Sequence, residues 1–448
     1  MRRPIALALV LVPIGCNKPP EATGGGSQPS VDAQARVQQV CDGMNDLSLL
    51  YVAGLLSLEV ESLDSPATRE KIVAACKGLS LAVVECADRL DLDGPECSKA
   101  LEQQMGLTDA TPRGSGPAPR WSVSTPFEVY DLDVSPAGHV AFAGENGVGL
   151  VIDGAVKWTT ELEEASARVA WSGDCVLTGS RGELRCFDEA GAVRWSTAVA
   201  KGEDEWLTTI EAGPDARVTV VTSKGAIVRV DPGACATAPA GCATPVGTVE
   251  ALAGASIELL PGGAILGTND AGVTLVSASG VQLGQRPAEL AASVPAGGLV
   301  VVARDVLRAN PACKEGADEC FTVVTSNVDM EVVAPVEIAG VGVAHADSYG
   351  VIHMVGDTPW KVDAGNDGDL LTDGTTIYSV GHQLGLGDAL EAPPQLRAID
   401  ARTGETRWIT KLGSERASLL SGYVVVLRGD SLLVATEAQL FAIPVGHS

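Results

Sequence analysis

Side chains that commonly do chemistry are few in this chain. Its 448 residues carry five histidines, His139, His345, His353, His382 and His447. None stands in an HExxH or 2-His-carboxylate spacing, so no ligand set for a zinc-activated water can be read. No G-x-S-x-G elbow, Walker A loop or G-x-G-x-x-G turn is found; "GVGVAH" and "GLGDAL" each lack the third glycine. His345 and His353 fall on neighbouring expected strands and read as core or surface imidazoles. The richest run of oxygen ligands is "DAGNDGDLLTDG", with Asp363, Asn366, Asp367, Asp369 and Asp373. Clustered carboxylates suit Ca²⁺, but in the EF-hand frame Gly365 takes position three and Gly374 replaces the closing Glu. "DLDG" at 91–94 fails the same test. Both read as solvated acidic turns, and no catalytic, cofactor-binding or metal-binding residue is assigned.

Cysteine is the exception. There are 11, an odd count. Setting Cys16 aside leaves ten, enough for five disulfides in an oxidising compartment. Cys175 and Cys186 flank "VLTGSRGELR", and a two-residue turn at Ser180–Arg181 sets them opposite each other on paired strands. Cys235 with Cys242, and Cys313 with Cys320, close two loops of the same C-x6-C spacing. Cys41, Cys76, Cys86 and Cys97 supply two further bonds, with three connectivities open. Zinc is the alternative for such residues, but tetrahedral sites show tight Cys/His pairs.

What must position these residues follows from composition. The chain is 46% hydrophobic but only 4% aromatic, with 51 Gly and 25 Pro, which favours many short strands joined by turns. The net charge of -26 excludes a nucleic-acid partner, because phosphate binding needs clustered Lys and Arg.

Residues 31–108 read as a small helical domain. Val37, Val40, Leu47, Leu50, Leu55 and Leu58 are spaced for a first helix. Ser65 and Pro66 suit the start of a second, running through Ile72, Val83 and Leu90, and a third follows Pro95. Residues 109–120 form a Pro/Gly linker.

The N-terminus, "MRRPIALALVLVPIGCNKPP", has a basic start and an apolar run from Ile5 to Ile14, too short to span a bilayer. Ile14, Gly15 and Cys16, followed by a polar tail to Ser30, resemble the lipobox of bacterial lipoproteins; Pro13 stands where that motif usually has Leu. The resemblance implies a signal peptide over 1–15, lipid attachment at Cys16, a flexible tether over 16–30 and a membrane-anchored protein of the cell envelope. Asn17 lacks the Asp that signals inner-membrane retention, so the outer membrane is favoured, with a periplasmic or secreted protein as the alternative.

From Trp121 onward one unit recurs: strand, Asp, turn, strand with a Trp. "LRAIDARTGETRWITKL" is its clearest copy, joined by "LVIDGAVKWTTEL", "LRCFDEAGAVRWSTAV" and the weaker "IHMVGDTPWKVDA". A period near 40 residues without long helices is the signature of a β-propeller. Blades are expected to end near Trp158, Trp195, Val246, Leu283, Val336, Trp360 and Trp408, with Trp121 closing an eighth on the C-terminal strands; seven blades is the alternative. Asp400, Thr403, Gly404 and Trp408 resemble the PQQ-like repeat of quinoprotein-type, BamB-like propellers, and Asp188, Gly191 and Trp195 match in part. The resemblance implies that Trp158, Trp195 and Trp408, with Asp400 and Gly404, join one blade to the next. It implies a mainly β fold over 121–448 and protein–protein binding at the outer membrane, possible envelope assembly included, with no cofactor. Two readings stay open beside it. One is a PQQ- and Ca²⁺-dependent oxidoreductase, against which stands the lack of a vicinal Cys pair and of a C-x-x-C-H. The other is a small-ligand or glycan sensor, which would use an aromatic-lined channel mouth.

Overall fold

The structure is a computed structural model, and it describes residues 31–55, 65–89, 97, 100, 112–144, 146–163, 165–202, 204–213, 216–287, 296–302, 305–326, 335–346, 350–364, 369–381, 394–413, 423–436 and 438–445. The lipid site Cys16, the signal and tether, the helix after Pro95 apart from Cys97 and Ala100, and Asn366 and Asp367 lie outside these residues. The chain divides into two compact units, one built on the helices up to Leu107 and one on the strands from Thr108 onward.

The first unit has α1 (Val31–Gly43), α2 (Asp46–Leu55), α3 (Pro66–Cys76) and α4 (Leu81–Arg89). The expected first helix is thus two, broken at Met44–Asn45, where the Asn45 side chain accepts from the Ser48 N–H and starts α2. That break turns the helix: Leu49, Val52 and Ala53 are buried, while Leu47 and Leu50, expected on the inner face, are exposed. The expected second helix also breaks, at Lys77–Ser80. Ser65 stands at the N-cap of α3 in extended conformation, without a side-chain cap bond. Cys41–Cys76 joins α1 to α3, and Cys86–Cys97 anchors α4. Cys41–Cys76 sits in the small apolar core of Val37, Met44, Ile72, Val83 and Val84, and Cys86–Cys97 is buried as well, which is the setting where a short chain needs covalent help.

In the second unit the described residues form eight sheets, antiparallel apart from one added strand in blade seven, and the fold is an eight-bladed β-propeller. Innermost strands are Asp131–Val134, Ala165–Ser172, Leu207–Ala212, Ser256–Leu259, Val336–Ile338, Leu371–Thr372 and Val424–Arg428 in blades one to four and six to eight; blade five is described from Leu299–Val302 outward. The innermost strands of consecutive blades touch from eight through one to four and from six to eight, which lines them around a channel. Middle strands such as Val218–Thr222 and Leu299–Val302 are buried throughout, as their unbroken Val/Thr/Leu runs require.

Seven blade ends fall where the repeat places them. The fifth does not: its outer strand is Phe321–Ser326, and Val336 begins the innermost strand of blade six. Phe321–Ser326 lies one 40-residue step past Leu283 but carries no Trp to mark it, and Val336 stands a further strand on. Blade eight closes as expected, with Trp121–Ser124 pairing antiparallel to Gln439–Pro444. Such closure unites the two ends of the propeller chain in one sheet.

The segment expected to act as a Pro/Gly linker is partly built into the ring. Gly114–Ser115 runs parallel to Trp408–Ile409 as a fifth strand of blade seven. Arg113 pairs with Glu405, and Arg120 grips Asp430 with both terminal nitrogens, at 2.6 and 3.2 Å.

Candidate functional site

Where one blade meets the next, a bulky residue on an outer strand lies on the turn between the third and outer strands of the following blade. Trp158 rests on blade two, where a Cβ on Gly191 would come within 2.8 Å of its ring, and its indole N–H donates to the Glu189 carbonyl at 3.1 Å. Trp360 does the same on blade seven, 2.6 Å from such an atom on Gly404 and 3.1 Å from the Ala401 carbonyl. Trp121 sits on Gly154 of blade one, and Val246 takes the part of Trp on Gly280. These glycines have φ between +73° and +84°, the left-handed region that only Gly enters freely.

Aspartate at the end of the third strand shapes the turn. Asp400 accepts from the N–H groups of Arg402 and Thr403, and from the Arg407 guanidinium at 2.7 Å. Burial works to raise its carboxyl, but these bonds outweigh it and hold it below the ordinary range. Asp188 folds its turn through the N–H groups of Ala190 and Ala192. Asp400, Gly404 and Trp408 therefore serve two joints: Gly404 receives Trp360, while Trp408 faces Gly116 of the N-terminal strap. Blade eight takes its outer strand from the N-terminal side, so it has no such turn, and the strap covers Trp408 instead.

The two C-x6-C disulfides replace glycine turns at two other joints. Cys235–Cys242 closes the turn of blade three, and Trp195 is buried in one cluster with both cysteines. Cys313–Cys320 closes the turn of blade five, against which Leu283 packs. Cys175–Cys186 lies within blade two. There the turn is Arg181–Gly182, one residue later than expected, because Arg181 adopts φ 51° and Gly182 φ 74°. The register sets Leu177 opposite Cys186, so this bond crosses the strands diagonally, with 5.3 Å between the Cα atoms.

The channel wall carries the charge. Asp131 and Asp133 of blade one accept from the N–H groups of Val169 and Trp171 on blade two, at 2.9 and 2.6 Å. Glu258 of blade four accepts from the Gly298 N–H of blade five at 3.0 Å, and Arg168 donates to the Thr208 carbonyl of blade three at 3.2 Å. These bonds tie blades together at their inner edges. Burial pushes Asp131 up to about 6, and it raises Asp133 and Glu258 as well. Glu211 on blade three is pushed up to about 8 by burial and then by the charges of Asp131 and Asp133. Tyr130 and Trp206 each precede an innermost strand, so both mark the end of the channel where those strands begin. Both are exposed, Trp206 by 59%. The Tyr130 hydroxyl donates to Glu128 at 2.9 Å.

Sequence reasoning missed this wall and rim. A signal existed in "DLDV", whose two aspartates alternate onto one face of a strand. Their partners lie 38 residues away on another blade, however.

Among the described residues of the acidic run at 363–374, no cage assembles. Asp373 is consumed by its own turn, accepting from the N–H groups of Thr375 and Thr376, with the Tyr378 hydroxyl 2.8 Å from its other oxygen. Asp363 lies on an outer strand. Among the described residues, no three His, Cys, Asp or Glu side chains converge as metal ligands. His345 and His353 are cross-strand partners in blade six, buried and stacked with ring centroids 4.9 Å apart.

No family model and no curated protein matches the chain. Solved structures do. Sqt1 from Chaetomium thermophilum, bound to the N-terminus of ribosomal protein L10, is 11% identical with a TM-score of 0.54, over 73% of this chain and 100% of that one. Saccharomyces cerevisiae Sqt1 is 11% identical over 74% and 100%, with a TM-score of 0.48. A chain of a mitotic checkpoint complex is 13% identical over 75% and 95%, with a TM-score of 0.45. At these identities the likeness to Chaetomium Sqt1 is one of fold.

Proposed function

We propose that the propeller binds a protein partner and does not catalyse a reaction, and that an N-terminal lipid on Cys16 holds it in the bacterial envelope, with the outer membrane favoured. The observation that carries the binding reading is the channel rim: exposed Tyr130 and Trp206 each precede an innermost strand that carries acidic side chains, Asp131 and Asp133 on one and Glu211 on the other. Aromatic faces and carboxylates together suit a segment bearing Lys or Arg. The wall supports the non-catalytic half of the reading, since Asp131, Asp133, Glu258 and Arg168 each make a blade-to-blade bond. Chaetomium Sqt1 is a propeller that holds a protein terminus, a precedent for this use of the fold. Trp360 docked on the turn that contains Asp400, Thr403 and Gly404 supports reading the blades as PQQ-like repeats, whatever their cofactor history.

Two experiments test these readings. The first compares proteins recovered by crosslinking from envelope fractions with wild-type bait and with Trp206→Ala bait. A partner enriched at least fivefold by wild type is expected, and equal recovery removes the rim from the account. The second follows lipid: Cys16→Ser should abolish palmitate labelling and release the protein from membranes. Unchanged labelling would remove the anchor. Dye reduction that depends on added PQQ and Ca²⁺ would overturn the non-catalytic reading.

A further inference from the structure

Outer strands of a propeller are open sheet edges, and proteins guard such edges with charge or proline. Here Lys157, Arg194, Pro245, Pro287, Lys361 and Lys411 interrupt six of them, one residue to a strand. A seventh, Trp121–Ser124, spans only four residues and follows Arg120. Phe321–Ser326 is different. Its sequence FTVVTS has no charge, no proline and no glycine over six residues, the composition that most readily accepts another strand. Val323 and Val324 are 43% and 38% exposed, and the Cys313–Cys320 disulfide fixes the chain one residue before the strand begins.

Beside this edge lies a cleft of about 380 Å³ between blades five and six, with Val324, Ile338, Val341 and Val355 in its wall. It marks a joint built unlike the others. The turn Asp357–Pro359 of blade six has neither the glycine nor the disulfide found at the other joints, and Val324 of blade five reaches only the wall of the cleft. The charged residues of the wall, Glu337 and Asp357, are both acidic; Arg308 pairs with Glu337 at 2.6 Å.

We infer that this edge and cleft bind an extended segment of a partner protein. The segment adds as a new outermost strand beside Phe321–Ser326, places one bulky apolar side chain in the cleft and meets Asp357 and Glu337 with Lys or Arg. The chain already shows the mode on blade seven, where Gly114–Ser115 adds a fifth strand and the adjacent Arg113 pairs with the acidic Glu405. Backbone pairing supplies affinity in such additions, and side-chain pockets supply selectivity. A second copy of this chain is the poorer occupant, because at a net charge of -26 it would bring carboxylates against carboxylates.

The test uses the oxidised full-length protein and two fluorescein-labelled peptides, Lys-Thr-Val-Trp-Val-Thr-Lys and its counterpart with Glu at both ends. Anisotropy should show saturable binding of the basic peptide and binding at least tenfold weaker for the acidic one. Val324→Lys, and separately Val323→Lys, should weaken the basic peptide at least tenfold without lowering Tm, since both side chains are exposed. Amide exchange over 321–326 should slow when the peptide binds. No binding, equal binding of the two peptides, or binding unchanged by both substitutions overturns the inference. A wild-type dimer in sedimentation that Val324→Lys dissociates would make the second copy the occupant, and overturns it too. Trp206→Ala should leave peptide binding unchanged, so this result stands apart from the channel rim.

Discussion

Glu211 shows at the residue scale what an acidic channel costs. Its carboxyl is pushed up to about 8, above the 4.5 of a free glutamate, by burial and by Asp131 and Asp133. Between those two values the folded chain holds a proton that the unfolded chain has lost. Stability therefore falls as pH rises from about 4.5 to about 8 and levels off above. Glu258 adds to the repulsion and Arg168 offsets part of it. Glu211→Gln should remove this slope: the Tm of the variant minus that of wild type should be near zero at pH 4.5 and largest above pH 8. A difference that stays constant from pH 5 to 9 would show that Glu211 does not feel its neighbours. A segment that brings a Lys to this wall gains by meeting the ionised form, so such binding should strengthen as pH rises across the same window.

Joints between blades are the element that decides stability. Trp360→Ala should cost about 3–5 kcal/mol, the usual loss for a large buried aromatic. Gly404→Ala should cost at least about 1–2 kcal/mol, because alanine resists the left-handed conformation and its Cβ would press on the indole. The two should combine to less than their sum, since each breaks the same contact; strict additivity in denaturant titrations would refute the joint. Opening Cys235–Cys242, which closes a short loop, should cost about 2–3 kcal/mol, read as a drop in denaturation midpoint after Cys235→Ala with Cys242→Ala. Much of this was legible. Trp158, Trp195 and Trp360, the Asp-turn-Gly order and the C-x6-C spacings are local signals, and they place blades and staples directly. Three features were not, each for a physical reason. Blade five has a strand end without a Trp, so nothing marks it. The strap at 113–120 reads as a linker because its bonds go to residues 293 and 310 positions away. The acidic wall joins residues from different blades, which no short window contains.

The propeller unit is a ring whose last sheet takes its outer strand from the N-terminal side. Deleting residues up to 111 should leave the propeller's unfolding transition cooperative. Deleting up to 124 should remove the outer strand of blade eight and the cover over Trp408, and so broaden that transition or abolish it. Indistinguishable melting of the two truncations would mean that this closure contributes nothing. A closed ring of this kind offers its faces and edges to partners, and the rim at Trp206 is where that claim is most exposed to test. The most direct measurement places a photo-crosslinking residue at position 206 of the full-length protein in its native cells, with the exposed outer-strand position Val193 as control. The account predicts a discrete adduct formed from position 206 and not from 193. No adduct at 206, or the same adducts from both positions, would contradict it.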